Sequence, residues 1–256
     1  MWNSIIITNN QIKNEDIKKI IDGKNSAIII KKFLKKEDCK KIIRKISSMN
    51  IERDSNKFNH IGPFLMNYTT KKEKYFQNAE KANQVFKKIF SNVENPVNKI
   101  KTTISKIFPD YKISGIRENQ RNYALCTIRR HENGKSIPLH KDNVSYEGVE
   151  YEVSKINTQL SCILHLQETE KGGNLSIYNK RWKKKLEKYR EIEFGYNSNI
   201  KKKSLSDTIE TKLGDLVIIN PNYLHEVKEI QGISDRVTLG MFFGIENKTK
   251  KIFFWA

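Results

Sequence analysis

The chain has 256 residues, 37% of them hydrophobic and 30% charged, with a formal net charge of +19. That is long enough to bury a full core. No apolar run approaches the ~18 residues of a membrane helix, and Ile5-Ile6-Ile7 is too short for a signal peptide, so the expectation is a cytoplasmic protein with no membrane contact. Cys39, Cys126 and Cys162 are odd in number and widely spaced, which speaks against a disulfide framework or a zinc cage.

Strand and helix signals alternate at first: a strand near Ile5, a helix opened by Asn14-Glu15-Asp16, then the apolar run Ala27-Ile28-Ile29-Ile30. In residues 35–46 the apolar positions Cys39, Ile42, Ile43 and Ile46 recur at helical spacing, with lysines on the other face. The lysines are spread along the whole chain, so a solvated surface is expected in preference to a nucleic-acid stripe. Periodicity fades over residues 54–68, where Gly62-Pro63 marks a loop carrying His60, Phe64 and Tyr68. Helices are expected over residues 71–90 and 96–108, the second opening on Pro96, whose missing N–H costs nothing in a first turn.

After Tyr111 the signals are those of strands: residues 122–130, a turn at Glu132-Asn133-Gly134, and 135–139. In residues 156–167 the even positions Thr158, Leu160, Cys162, Leu164 and Leu166 are mostly apolar. The odd positions are Asn157, Gln159, Ser161, Ile163 and His165. These sets point to opposite faces of a sheet; the apolar face calls for a helical layer and the polar face reads as a barrel interior. Gly172-Gly173 permits a tight turn into residues 174–178. A charged insertion follows from Lys180-Arg181-Trp182 to about residue 206, with Trp182 read as its anchor. Residues 213–220 read as a buried strand delivering His225, and 236–244 as the last long strand. The sum is one α+β domain over residues 1–256: a helix-rich part to about 110, and a double-stranded β-helix of the jelly-roll or cupin kind over about 111–250, with the N-terminal helices packed on one sheet.

The chemistry centres on His140-Lys141-Asp142. A His-x-Asp pair supplies one imidazole and one carboxylate from the same side of an extended segment, and His225, 83 residues beyond Asp142, offers a second imidazole. Two histidines and a carboxylate form a facial triad suited to non-haem iron(II), leaving three adjacent positions open for a bidentate 2-oxo acid and O2. Eleven residues after His225 comes Arg236, with Thr238 on the same strand face: a forked cation and a hydroxyl for the far carboxylate of 2-oxoglutarate. Each element alone is commonplace. Their order, and the Gly214-Asp215-Leu216-Val217 run before His225, point to one site. Asn157, Gln159 and Ser161 on the inner face are the candidate substrate contacts, with Tyr123 and Trp182 as further ones.

Arg130-His131-Glu132-Asn133-Gly134 resembles the Arg-Tyr-x-x-Gly lead-in of prolyl-hydroxylase-like iron(II)/2-oxoglutarate dioxygenases, with His131 where a tyrosine is usual. Residues 162–166 followed by Gly172-Gly173 look like that family's central strand pair, with His165 replacing a tyrosine that helps hold 2-oxoglutarate. A fuller likeness runs over about 140–244: Tyr146, Asn157-Thr158-Gln159-Leu160, Tyr178-Asn179-Lys180-Arg181-Trp182, Asn220-Pro221 and Leu224-His225-Glu226-Val227. This pattern is similar to the carrier-independent aliphatic halogenases of indole-alkaloid pathways and their hydroxylating relatives. Those halogenases have Gly where this chain has Asp142, so the resemblance implies hydroxylation or desaturation of a free small molecule. It also implies Fe(II), 2-oxoglutarate and O2, with ascorbate as an in vitro reductant.

Three other functions compete. A nucleic-acid demethylase would explain the charge, but such enzymes resemble one another in a second arginine six residues after the first, where this chain has Phe242. A protein side-chain hydroxylase fits the prolyl-hydroxylase-like motifs. A non-catalytic β-helix module would need no triad.

Overall fold

In the computed structural model, residues 2–8, 11–49, 52–53, 59–192 and 194–256 are described. Part of the expected loop, residues 54–58, lies outside them. The helices form where apolar positions recur on one face. Helix α1 (Asn14–Ile21) buries Ile17 and Ile20, and α2 (Lys36–Ser47) buries Cys39, Ile42 and Ile46. Helix α3 (Lys72–Ile89) buries Tyr75, Phe76, Ala79, Ala82, Phe86 and Ile89. Helix α4 (Pro96–Ile107) starts where Asn95 Oδ1 accepts the N–H groups of Val97 and Asn98, with Pro96 in the first turn.

The longer strands, labelled in chain order, are β1 (Ile5–Ile7), β2 (Ala27–Ile30), β3 (Asn59–Ile61), β4 (Lys112–Gly115), β5 (Thr127–His131), β6 (Ile137–His140) and β7 (Thr158–Gln167). After them come β8 (Leu175–Arg181), β9 (Ser206–Ile209), β10 (Leu216–Ile219), β11 (Tyr223–Val227), β12 (Arg236–Glu246) and β13 (Lys251–Trp255). A ten-stranded major sheet runs β1-β2-β10-β7-β12-β5-β3 and ends on the short strand Glu52–Arg53, with β13 joining β12 to β4. A four-stranded minor sheet runs β9-β8-β11-β6.

The alternation read in residues 156–167 holds. Leu160, Cys162, Leu164 and Leu166 pack with Leu239, Met241 and Phe243 of β12 and with residues of all four helices. This is the expected helical layer on one sheet. On the other side Ile163, Val217 and Ile219 of the major sheet meet Leu175, Ile177 and Val227 of the minor one. The jelly-roll expectation is met.

Four elements differ from the sequence reading. Residues 123–126 leave the strand because the Asn83 side chain holds the backbone there, donating to Tyr123 O and accepting from Leu125 N. The strand before the insertion is longer than expected and takes in Lys180 and Arg181. The run 213–220 does not itself carry His225: β10 belongs to the major sheet, and Asn220-Pro221-Asn222 crosses to β11 in the minor sheet. Finally, β12 is followed by β13, which pairs parallel with β4, a partner some 140 residues earlier that local pattern cannot announce.

Gly214 and Asp215 make the corner before β10. Gly214 has φ +86°, and a Cβ there would lie 2.2 Å from Leu34 O. The buried Asp215 carboxylate accepts from the backbone N–H groups of Lys32 at 2.8 Å and Lys212 at 2.9 Å, and from Lys31 Nζ at 3.0 Å. This clamp fixes the end of β2 to β10, and β10 in turn positions the crossing to His225.

Candidate metal centre

His140 ends β6 and His225 lies within β11, and the two residues face each other across an antiparallel pair. Their ring centroids are 4.1 Å apart. Asp142 follows β6, its backbone N–H donating to Pro221 O at 2.9 Å, so the turn that carries the chain between the sheets also places the carboxylate. Ligand atoms of His140, Asp142 and His225 all lie within 4.8 Å of one another, and His225 Nε2 is 3.8 Å from Asp142 Oδ2. All three residues are buried.

The donor set fits a divalent metal. Each imidazole is oriented by its Nδ1, which bonds to a backbone carbonyl at 2.8 Å: Pro138 O for His140 and Tyr223 O for His225. That fixes the proton on Nδ1 and leaves the Nε2 lone pairs aimed inward, the usual arrangement behind a metal-binding histidine. Burial pushes both imidazoles down to about 4, so both are neutral near pH 7. Burial raises the Asp142 carboxyl, and the interactions with His225, Arg129 and Lys141 oppose that rise. Bringing two lone pairs and a buried carboxylate together without a cation is costly; a bound metal offsets that cost.

Two connected spaces open from this centre. The inner one, about 50 Å³, is bounded by His131, Ser161, Ile163, Leu175, Arg236, Thr238 and Gly240. The outer one, about 610 Å³, reaches the surface past Phe64, Tyr146, Glu147, Arg190 and Phe194. Arg129, His131, Ile137, His140 and Asp142 border both.

At the inner end Arg236 is buried and its Nε has no hydrogen-bond partner among the described residues. Burial lowers this guanidinium to about 10, with Glu168 opposing the shift. His165 sits opposite Thr238, its Nδ1 2.5 Å from Glu168 Oε1 and its Nε2 without a hydrogen-bond partner among the described residues. Burial raises the Glu168 carboxyl, but the hydrogen bond with His165 leads the interactions that bring it below the ordinary glutamate value. His131 faces Arg236 across β5 and β12. The open Nε donor of a buried cation, Arg236, suits a carboxylate ligand.

The other sequence candidates take different places. Ser161 borders the inner space. Gln159 is buried and its Oε1 accepts from Val144 N at 2.8 Å, bracing the segment after the triad. Asn157 accepts from Asn247 N at the surface, and the Tyr123 hydroxyl donates to Glu118; neither borders the two spaces. Trp182 packs against the cluster of Leu139, Tyr178, Tyr196, Ile200 and Leu224, as an anchor would. Its indole N–H donates to Glu187 at 2.7 Å, and its ring lies 4.6 Å from Tyr146.

Sequence reasoning missed a network at the mouth. Lys141, between the two triad residues, has a side chain with no solvent exposure; its Nζ is 2.5 Å from Glu147 Oε1 and 4.9 Å from the Trp182 ring. Arg190 of the insertion reaches Glu147 at 3.1 Å and Glu187 at 2.7 Å. Arg129 was also missed, although alternation from His131 places it on the inner face.

Residues 2–256 match the family model of the carrier-protein-independent halogenase WelO5. The chain belongs to this family. It is also similar to the leucinostatins biosynthesis cluster protein S of Purpureocillium lilacinum, with 27% identity over 181 residues, 68% of this chain and 73% of that protein. Among solved structures it resembles an N-substituted L-amino acid dioxygenase from Burkholderia ambifaria AMMD, with TM-score 0.63 and 16% identity over 94% of this chain and 91% of that one. The alpha-KG complex of that dioxygenase gives 0.59 and 17%, over 93% and 90%. The epimerase SnoN of nogalamycin biosynthesis gives 0.52 and 8%, over 89% and 82%. These structural likenesses establish the fold. Family, fold and the clustered triad bear out the expected class, a non-haem iron(II)- and 2-oxoglutarate-dependent oxygenase.

Proposed function

We propose that the protein hydroxylates or desaturates an unactivated C–H bond of a free small molecule, with 2-oxoglutarate and O2 as co-substrates. His140, Asp142 and His225 hold the iron, and Arg236 with Thr238 receives the far carboxylate of 2-oxoglutarate. His131 and His165 flank that carboxylate. The observation that carries the reading is Asp142: a buried carboxylate completes the triad within 4.8 Å of the imidazoles, at the place where the resembling halogenases have glycine. A third protein ligand leaves no position for halide beside a bidentate 2-oxo acid and O2.

The metal, when bound, supplies the oxidising chemistry. The chain's own groups bind, orient and exclude water. The carbonyl-bonded Nδ1 atoms fix the two imidazoles, Gln159 braces the segment after Asp142, and Arg236 sets the depth of the co-substrate. Phe64, Ile137 and Phe194 give the outer space apolar wall beside the triad, against which the hydrocarbon part of a substrate can pack.

A structural neighbour is named for N-substituted L-amino acids, which makes amino-acid derivatives the first class to try. The test is incubation of the purified protein with iron(II), 2-oxoglutarate, ascorbate and chloride against such a panel. Succinate formation coupled to a mass gain of one oxygen, or loss of two hydrogens, is expected. A chlorinated product would overturn the assignment to Asp142.

A further inference from the structure

We propose that His165 holds the far carboxylate of 2-oxoglutarate as an imidazolium clamped against Glu168, so that binding of the co-substrate draws a proton from solvent into the site. The proposal rests on the oxygenase reading and adds a proton to what the inner pocket takes up. His165 continues the row of Ser161 and Ile163, which border the inner space, and lies opposite Thr238 of β12. Arg236 is two residues before Thr238, so His165, Thr238 and Arg236 share the inner face. The backbone of His165 is fixed at the Gly214-Asp215 corner: its N–H donates to Asp215 O at 3.0 Å and its carbonyl accepts from Gly214 N–H at 2.8 Å.

The two ring nitrogens have different surroundings. Nδ1 is 2.5 Å from Glu168 Oε1, and the Thr211 hydroxyl lies 3.1 Å from Nδ1 and 3.2 Å from the same carboxylate oxygen. Burial raises the Glu168 carboxyl, but the His165 contact leads the interactions that bring it below the ordinary value, so Glu168 is ionised and the shared proton belongs to Nδ1. A neutral imidazole has only one N–H, and here it is spent on Glu168. Nε2 therefore carries a bare lone pair, buried and without a hydrogen-bond partner among the described residues. Such an atom repels a carboxylate until a second proton makes it a donor. In the free protein burial keeps the ring below the ordinary histidine value; Arg236 of β12 adds to this, and Glu168 and Asp215 oppose it. The Asp215 carboxylate is already held by Lys31, and His131 faces Arg236 from β5. A carboxylate arriving on Arg236 cancels one of the charges that keep the ring neutral and brings a negative charge of its own. Both changes raise the proton affinity of Nε2, so uptake follows from binding.

The test is calorimetric titration of 2-oxoglutarate into the full chain preloaded with manganese(II), at about pH 8, in buffers of different ionisation enthalpy. Preloading leaves the metal ligands already deprotonated, so the buffer dependence counts protons taken up with the co-substrate. The wild type should take up about 0.5 to 1 proton per 2-oxoglutarate, and its affinity should fall about three- to tenfold per pH unit above that pH. His165→Asn supplies an amide that donates without titrating, so uptake should fall below half the wild-type value and affinity should become flat with pH. Glu168→Gln removes the charge that clamps the imidazolium and should lower the uptake as well. Bound metal and 2-oxoglutarate show that a variant is folded, and the wild-type proton count decides even where one is not. Wild-type uptake below about 0.5 proton overturns the proposal and leaves the oxygenase reading standing. So does uptake above half the wild-type value in His165→Asn, uptake undiminished in Glu168→Gln, or uptake that disappears in His131→Asn while persisting in His165→Asn. Failure of the wild type to bind 2-oxoglutarate overturns both readings, and the two failures are thereby distinguished.

Discussion

Arg236 presents to the pocket an Nε donor with no hydrogen-bond partner among the described residues, and that mismatch is the clearest chemical statement made by a single residue. A buried guanidinium with a vacant Nε is stable only if a ligand completes it. Arg236→Ala should weaken 2-oxoglutarate binding by one to two orders of magnitude, since a charge-assisted pair is lost, while the metal stays bound through the untouched triad. Equilibrium dialysis of labelled 2-oxoglutarate at constant metal occupancy checks this; unchanged affinity would put the carboxylate elsewhere. Much of this site was legible in the sequence, because the triad and Arg236 are marked by residue type and order. Arg129 was missed, although it lies two residues before His131 on the same strand and so on the same face. Glu168 was not: it lies beyond the register shift at His165/Gln167, where period-two counting stops working. The Lys141–Glu147–Arg190 network depends on how the 181–206 insertion folds back, which no local pattern encodes.

The segments that carry these residues are held by corners more than by strands. The expected role of Gly214-Asp215 was to introduce the strand before His225. In the structure it also ties the N-terminal β2 to β10, through Leu34 N–H donating to Gly214 O at 2.9 Å and through the three donors on Asp215. Gly214→Ala forces a side chain into a positive φ and against Leu34 O, and should destabilise by about 3 kcal/mol. Asp215→Ala strands the N–H groups of Lys32 and Lys212 and should cost a similar amount. Urea titrations should show lower midpoints with an unchanged slope; midpoints within error of wild type would mean the corner is dispensable. Long strands with one apolar face, β7 and β12, were readable as such because burial on one side enforces alternation. The switch of sheets at residues 220–222 and the pairing of β13 with β4 were not, since both are set by distant partners.

The molecule as a whole brings several neutral histidines into its interior, and this links stability to pH. His140 and His225 have folded values of about 4, below the usual 6.5, and burial moves His131 and His165 the same way. A depressed histidine means the unfolded chain takes up protons first. Stability of the metal-free protein should therefore fall as pH drops from about 6.5 towards 4, by up to roughly 3 kcal/mol for a single such histidine. The raised Asp142 carboxyl acts in the opposite sense and offsets part of the loss. Thermal melts of metal-free protein at pH 7.5 and 5.0 should show a clear decrease at the lower pH, and a flat profile would contradict the buried neutral state. The +19 charge has a plainer origin at this scale: lysines occur throughout the sequence.

The most direct measurement is an anaerobic titration of iron(II) and 2-oxoglutarate into wild type, His140→Ala, His225→Ala and Arg236→Ala, followed by visible absorption and iron stoichiometry. The account predicts one iron and a weak metal-to-ligand band in wild type, loss of both in either histidine variant, and iron retained with a weakened co-substrate response in Arg236→Ala. Iron binding unchanged in both histidine variants would contradict it.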